Sequence, residues 1–162
     1  MDEQKVAIIT AAGRGMGAAI ARELHARGYK LGLMSPSGAA EKLAADLKGV
    51  GITGSVTEVQ DLNTLVEKTV EAYGRIDAVV NHTGHPPKGA LLEIEDESWH
   101  HGLDMLLLNV VRMMRLVTPI MLKQGGGAVL NITTFATFEP EEIFPVSVCI
   151  RAGLSSFTKI FA

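Results

Sequence analysis

Runs of β-branched and other apolar residues alternate along the chain with stretches in which apolar residues recur every three or four positions. The first apolar run, at 6–9, leads into glycines and then into a face made of Met16, Ile20 and Leu24. A short β-branched run predicts a strand, and a spacing of three to four predicts a helix that packs by one face. The order predicted here is strand, tight turn and helix.

The same alternation continues to the end of the chain. Further strands are predicted at 29–34, 50–53, 76–81 and 128–133, and further helices at 37–47, 61–73, 98–123 and 147–161. We expect Ser37 and Asp61 to cap the second and third helices, and Pro119 to bend the fourth. The pattern predicts a single α/β domain over residues 1–162, with a doubly wound parallel sheet of the Rossmann-like type in three α/β/α layers.

Composition narrows the class of protein. The chain has 162 residues, is 47% hydrophobic and carries a net charge of −3, as expected for one soluble domain without an electrostatic footprint for nucleic acid. We expect no apolar run of membrane-spanning length, and the single Cys149 fits a reducing cytoplasm. His100 and His101 lack a partner at metal-ligand spacing, so no metal site is predicted.

The first turn has the features of a dinucleotide site. Gly13, Gly15 and Gly17 lie between a strand and a helix, where missing Cβ atoms let a ligand approach the backbone and the helix N-terminus attracts a pyrophosphate. Ligands of parallel sheets bind at the carboxyl ends of the strands. The candidate cofactor-binding residues are those that follow the strands: Thr10, Ala12, Gly13, Arg14, Gly15, Met16, Gly17, Ser35, Ser55, Val56, Asn81 and Gly84.

The end of the second strand bears on the choice of cofactor. NAD enzymes usually place an acidic residue there for the ribose 2′-hydroxyl, and this chain has Ser35. Arg14, inside the glycine loop, is placed to meet a 2′-phosphate. We therefore favour NADP, with NAD as the alternative.

Three motifs together resemble the short-chain dehydrogenase/reductase family. Residues 10–17 are similar to its TGxxxGxG loop, with Ala11 in place of the first glycine; residues 74–84 are similar to its strand ending in NNAG; and residues 130–134 are similar to the strand that ends in its active-site serine. The resemblance implies a nicotinamide dinucleotide and hydride transfer to or from the carbonyl or alcohol carbon of a small-molecule substrate.

The resemblance also implies four catalytic positions, which the family fills with Asn, Ser, Tyr and Lys. Thr134 stands at the serine position, Ser147 at the tyrosine position and Arg151 at the lysine position. The asparagine position falls on Leu106, with Asn109 one turn later. The predicted catalytic residues are accordingly Thr134, Ser147, Arg151 and Asn109.

These replacements change the chemistry available. A phenol, with a pKa near 10, can be tuned toward neutrality, whereas a serine hydroxyl is a far weaker acid. Arg151 stays charged, so it can fix a ribose or phosphate without relaying a proton. His82 and His85 are candidates for another proton source, or else solvated loop histidines. Three hypotheses stay open: an oxidoreductase with a divergent site, a catalytically silent nucleotide-binding or scaffold subunit, and an inactive truncated product.

The end of the chain and its longest predicted helix bear on completeness and assembly. Members of the family continue well past a segment like 157–159, so we expect this chain to lack their C-terminal strands and substrate loop, or to have a partner that covers the last helix. The predicted helix at 98–123 is apolar on more than one face. We therefore predict a homo-oligomer formed through this helix.

Overall fold

The structure, a computed structural model, describes residues 4–162. The strands are β1 (Val6–Ile9), β2 (Lys30–Ser35), β3 (Val50–Thr53), β4 (Ala78–Asn81) and β5 (Ala128–Asn131). They form one parallel sheet in the order β3-β2-β1-β4-β5. From β1 the sheet extends to β2 and β3 on one side and to β4 and β5 on the other. The loops after β1 and β4 therefore diverge from each other, and sheets of this type bind ligands at that point.

Helices cover both faces of this sheet. They are α1 (Gly15–Ala26), α2 (Ala39–Asp46), α3 (Val59–Tyr73), α4 (Asp96–Leu103), α5 (Asn109–Lys123) and α6 (Pro145–Phe161). Ile8 of β1 packs with residues of α3 and α5 on one face, whereas Ala7 and Ile9 pack with residues of α1 and α2 on the other. The prediction of a doubly wound parallel sheet in three layers is confirmed.

The fourth predicted helix is less regular than its sequence suggested. A π-helical segment, Asp104–Leu108, joins α4 to α5, and α5 continues through Pro119. By length and composition alone, the combined helix Asp96–Lys123 is apolar enough to cross a membrane, so the expectation of no such run is wrong. One face of it packs in the core beside the sheet, where Val110, Met113 and Val117 are almost fully buried.

Both predicted helix caps are wrong. Ser37 caps nothing; Ser35 Oγ instead accepts a hydrogen bond from the Ala40 amide at 3.2 Å and donates to the Ser37 carbonyl at 2.7 Å. Asp61 lies inside the first turn of α3, where its carboxylate accepts from the Ser55 amide at 2.8 Å. In each case the side chain ties a helix to the loop after the preceding strand.

A separate small cluster holds α6 in place. Val146 and Ile150 pack against Leu106 of the π segment, with Trp99 of α4 at the edge of the cluster. Gly102 allows this close approach, since a Cβ there would lie 2.3 Å from Val146. The packing fixes the first half of α6 relative to the sheet, and with it Ser147 and Arg151.

Candidate functional site

The loop after β1 has the shape that its glycines predict. Ala11 and Gly15 adopt left-handed conformations, with φ of 48° and 54°. A Cβ on Gly13 would lie 2.6 Å from Ser35 Oγ, and one on Gly17 would lie 2.3 Å from the Ala11 carbonyl oxygen. Each glycine therefore has a geometric reason to be glycine. Ala11 holds a conformation that favours glycine, at the position where the sequence departs from the TGxxxGxG pattern.

A cavity of about 440 Å³ joins this loop to the start of α6. It lies at the carboxyl ends of β1, β4 and β5, between the glycine loop and the segments that follow the other two strands. Its walls are Ala11, Arg14, Gly15, Met16, His82, Thr83, Gly84, His85, Ile132, Thr133, Thr134, Ala136, Phe144, Ser147, Val148 and Arg151. Predicted cofactor residues and predicted catalytic residues thus share one cavity.

A second cavity, of about 430 Å³, continues the first toward β2. The two cavities share Ala11, Arg14 and Gly84, and the second also contains Gly13 and Ser35. Arg14 consequently lies between them. Together they form one elongated cleft across the switch point of the sheet, a shape that suits an extended dinucleotide.

Three of the four predicted catalytic residues lie on the wall of the first cavity. Arg151 donates from Nε to Ser147 Oγ at 3.2 Å and from Nη1 to the Ile132 carbonyl oxygen. Burial lowers the pKa of Arg151, although a guanidinium keeps its charge. Because Ser147 Oγ accepts from Arg151, its own hydroxyl proton is available to a ligand. Thr134 Oγ1 accepts from the Ala136 amide at 3.3 Å.

His82 lies on the same wall. Its backbone is fixed by Thr10, whose hydroxyl donates to the His82 carbonyl at 2.6 Å and accepts from the His82 amide at 2.9 Å. Its Nδ1 is buried without a hydrogen-bond partner. Burial lowers the pKa of His82, a backbone contact with Ala11 opposes this, and the charges of Arg151 and His85 lower it further. The neutral imidazole is therefore favoured.

The structure does not bring every predicted residue to the cleft. Asn109 is 3% exposed and donates its side-chain amide to the Met105 carbonyl, behind the cavity wall. Ser55 lies beyond β3, where its hydroxyl is 2.8 Å from Thr57 Oγ1, and neither Ser55 nor Val56 lines the cleft. None of these three residues therefore lines the two cavities.

Four other predicted residues support the cleft from behind. Thr10 fixes the backbone of His82, Ala12 donates its amide to Met34 at 2.9 Å, and Gly17 packs on the loop backbone. Asn81 donates its side-chain amide to Asn131 Oδ1 at 2.8 Å, which joins the ends of β4 and β5.

Sequence reasoning also missed part of the wall. Ile132 directly follows β5, so its place at the carboxyl edge was a usable signal. Phe144 precedes Pro145, the first residue of α6, and Lys88 Nζ lies 4.7 Å from the centre of its ring. No local pattern pointed to Phe144, because it reaches the cavity only through the path of the loop before α6.

Comparison with known proteins decides the family. A family model described as short chain dehydrogenase matches residues 5–162. The chain belongs to this family. A 3-oxoacyl-[acyl-carrier-protein] reductase of Synechocystis is 30% identical over 98% of the chain and 67% of the relative. The corresponding reductase of Escherichia coli is 29% identical over 99% of the chain and 67% of the relative.

Solved structures of the family superpose closely on the chain. L-Sorbose reductase from Gluconobacter frateurii, complexed with NADPH and L-sorbose, has a TM-score of 0.90 at 26% identity. An actinorhodin polyketide ketoreductase with NADPH has a TM-score of 0.92 at 28% identity. Each match covers 99% of this chain and 65% of the solved one. The chain thus spans about two thirds of the length of these short-chain dehydrogenases.

Proposed function

We propose that the chain binds a nicotinamide dinucleotide and transfers hydride between it and the carbonyl or alcohol carbon of a small molecule. The observation that carries this proposal is the single cleft in which Arg14 and Gly15 of the glycine loop face Thr134, Ser147 and Arg151. A reaction of this type needs a cofactor site and a polar site for the substrate oxygen within one cavity. The reductases that resemble this chain, two of which hold NADPH, support the same activity.

NADP is the preferred cofactor in this proposal. Arg14 lies between the two cavities, and Ser35 places no carboxylate beside the second one. Arg14→Ala should weaken NADPH about tenfold or more and NADH much less, because an arginine–phosphate hydrogen bond is charge-assisted. Isothermal titration of both nucleotides against both proteins measures this. Equal losses for the two nucleotides would contradict the role of Arg14.

The chemistry of reduction requires a hydride and a proton. A nicotinamide dinucleotide held by the glycine loop would supply the hydride, and the hydroxyls of Thr134 and Ser147 polarise the carbonyl oxygen of the substrate. The protonated form of His82, which lies on this wall, supplies the proton to that oxygen; the lowered pKa of His82 makes its imidazolium a stronger acid than an ordinary one. We expect reduction to become faster as the pH falls toward the lowered pKa of His82.

A turnover assay separates this function from a silent nucleotide-binding or scaffold role. Oxidation of NADPH is followed at the nicotinamide absorbance band over a panel of carbonyl compounds. His82→Asn, which restores the residue of the NNAG pattern, should keep NADPH affinity and lower turnover at least tenfold. Tight NADPH binding without turnover of any carbonyl compound would favour the scaffold role instead.

Assembly and location are part of the proposal. We propose a soluble cytoplasmic homo-oligomer that associates through the helices at 98–123, where Leu103 and Leu122 are 36% and 74% exposed. Apolar side chains exposed on a helix that already packs in the core support a second contact surface.

A further inference from the structure

The guanidinium of Arg151 is a buried cation without a counter-ion in the protein. Arg151 is 8% exposed, and its hydrogen bonds go to the neutral oxygens of Ile132 and Ser147. Within residues 4–162, no carboxylate forms an ion pair with it. Buried charges in proteins are normally paired, because an uncompensated ion loses its hydration. An anionic ligand would therefore supply the counter-ion that the Arg151 guanidinium lacks in the protein itself.

The rest of the cavity wall carries no negatively charged side chain. Its titratable side chains are Arg14, His82, His85 and Arg151, and the wall contains no aspartate or glutamate. The chain as a whole is acidic, with a net charge of −3. A concave surface that carries only basic groups on an acidic protein concentrates anions.

The two arginines, Arg14 and Arg151, lie at different ends of the cleft. Arg14 lies on both cavities, beside the glycine loop that receives the phosphates of a dinucleotide. Arg151 lies only on the first cavity, with Thr134 and Ser147, where the substrate oxygen is expected. Arg151 is thus placed to contact the substrate. Its planar guanidinium matches the planar pair of oxygens of a carboxylate.

We propose that Arg151 binds a carboxylate of the substrate, so that the chain acts on oxo acids or hydroxy acids. Arg151 lines the cavity, and both donors of its Nη2 remain for a ligand while Nε and Nη1 keep their bonds to Ser147 and Ile132. The substrate class rests on the proposed hydride transfer, whereas the anion site itself does not.

The test compares an acid with its neutral analogue. Isothermal titration measures the binding of 2-oxobutanoate and of its methyl ester to the protein loaded with NADP⁺, which has no hydride to transfer to an oxo acid, and to the protein alone. We expect the acid to bind at least about tenfold tighter than the ester, as charge-assisted hydrogen bonds imply. Equal affinities for the acid and the ester would overturn the proposal.

Variants assign the preference to one side chain. Arg151→Met should remove the preference for the acid, and Arg151→Lys should keep part of it, because an ammonium retains the charge and loses the fork. Arg22→Met is the matched control and should leave the ratio of the two affinities unchanged, because Arg22 is an exposed arginine of α1 that lines neither cavity. A preference that survives Arg151→Met would contradict the assignment, and the comparison of acid with ester in the unchanged protein stands even if that variant does not fold.

A phosphate of the cofactor is the other possible anion. If Arg151→Met weakened NADPH and NADH while the ratio of acid to ester stayed the same, Arg151 would belong to the cofactor and the proposal would fail. Binding is measured without turnover, so the two proposals fail separately. A chain that prefers the acid yet never oxidises NADPH would retain the anion site and lose the proposed activity.

Discussion

Ala11 and Lys48 are the two non-glycine residues in the described part of the chain with a left-handed backbone, and Ala11 is the one that lies in the glycine loop. Its φ of 48° lies in the left-handed region, where a Cβ crowds the backbone. Ala11→Gly should therefore raise the free energy of unfolding by about 1 kcal/mol. Urea denaturation measures this, with the adjacent, fully buried Ala12→Gly as the control. That control should lose about 1 kcal/mol or more; a loss in both variants would contradict the strain at Ala11.

His82 should make folding stability depend on pH in a defined window. Because burial lowers its pKa below the ordinary 6.5, the unfolded chain takes up a proton at a higher pH than the folded one. The stabilisation is fully present above about pH 6.5 and is lost as the pH falls through the lowered pKa.

Thermal denaturation between about pH 7.5 and 5 measures this effect. His82→Asn should reduce the loss of stability on acidification, and the exposed His25→Asn serves as the control. An identical slope for His82→Asn and the unchanged protein would show that the imidazole is not held neutral.

At the scale of elements, the glycine loop and α1 act as one unit. Gly17→Ala places a methyl group 2.3 Å from the Ala11 carbonyl oxygen, so either the helix or the loop must move. We expect a loss of about 1–3 kcal/mol in stability and at least tenfold in NADPH affinity. The control is Gly153→Ala, an exposed position of α6 whose nearest atom would be 3.9 Å away, at Leu107.

Elements whose signal is local were predictable, and those set by tertiary contacts were not. The loop from Thr10 to Gly17 was identified because its strand, glycines and helix are contiguous. Asn109 directly follows the π segment and lies behind the cavity wall, and counting along a regular helix cannot detect that segment, which adds a residue to a turn and rotates the side chains that follow. Ser35 was missed as the partner of α2 because its hydrogen bond crosses a loop rather than following a cap pattern.

The positions of the residues at the substrate end of the cleft could be predicted from the sequence, but the surroundings of their side chains could not. Thr134, Ser147 and Arg151 were placed by resemblance, and all three line the cavity. The lack of a counter-ion for Arg151 and the buried Nδ1 of His82 were invisible in the sequence, since both depend on what surrounds a side chain in space.

For the whole molecule, the surface through which copies associate is testable. Leu122→Lys, on α5, should shift the molar mass measured by light scattering toward the monomer, because a charge there opposes apolar contact. Leu130→Lys is the comparison, since Leu130 is 53% exposed on β5, which is one of the two edge strands of the described sheet. If Leu130→Lys dissociated the oligomer and Leu122→Lys did not, the interface would lie at the sheet edge and not on the helices.

The packing of Trp99 has an optical consequence. It is the single tryptophan of the chain, and it lies against the cluster of Leu106, Val146 and Ile150 that adjoins Ser147. Its emission therefore comes from one defined place beside the substrate end of the cleft. A dihydronicotinamide absorbs in the range where indole emits, so resonance energy transfer from Trp99 would report the arrival of the reduced ring itself, without a label or a mutation.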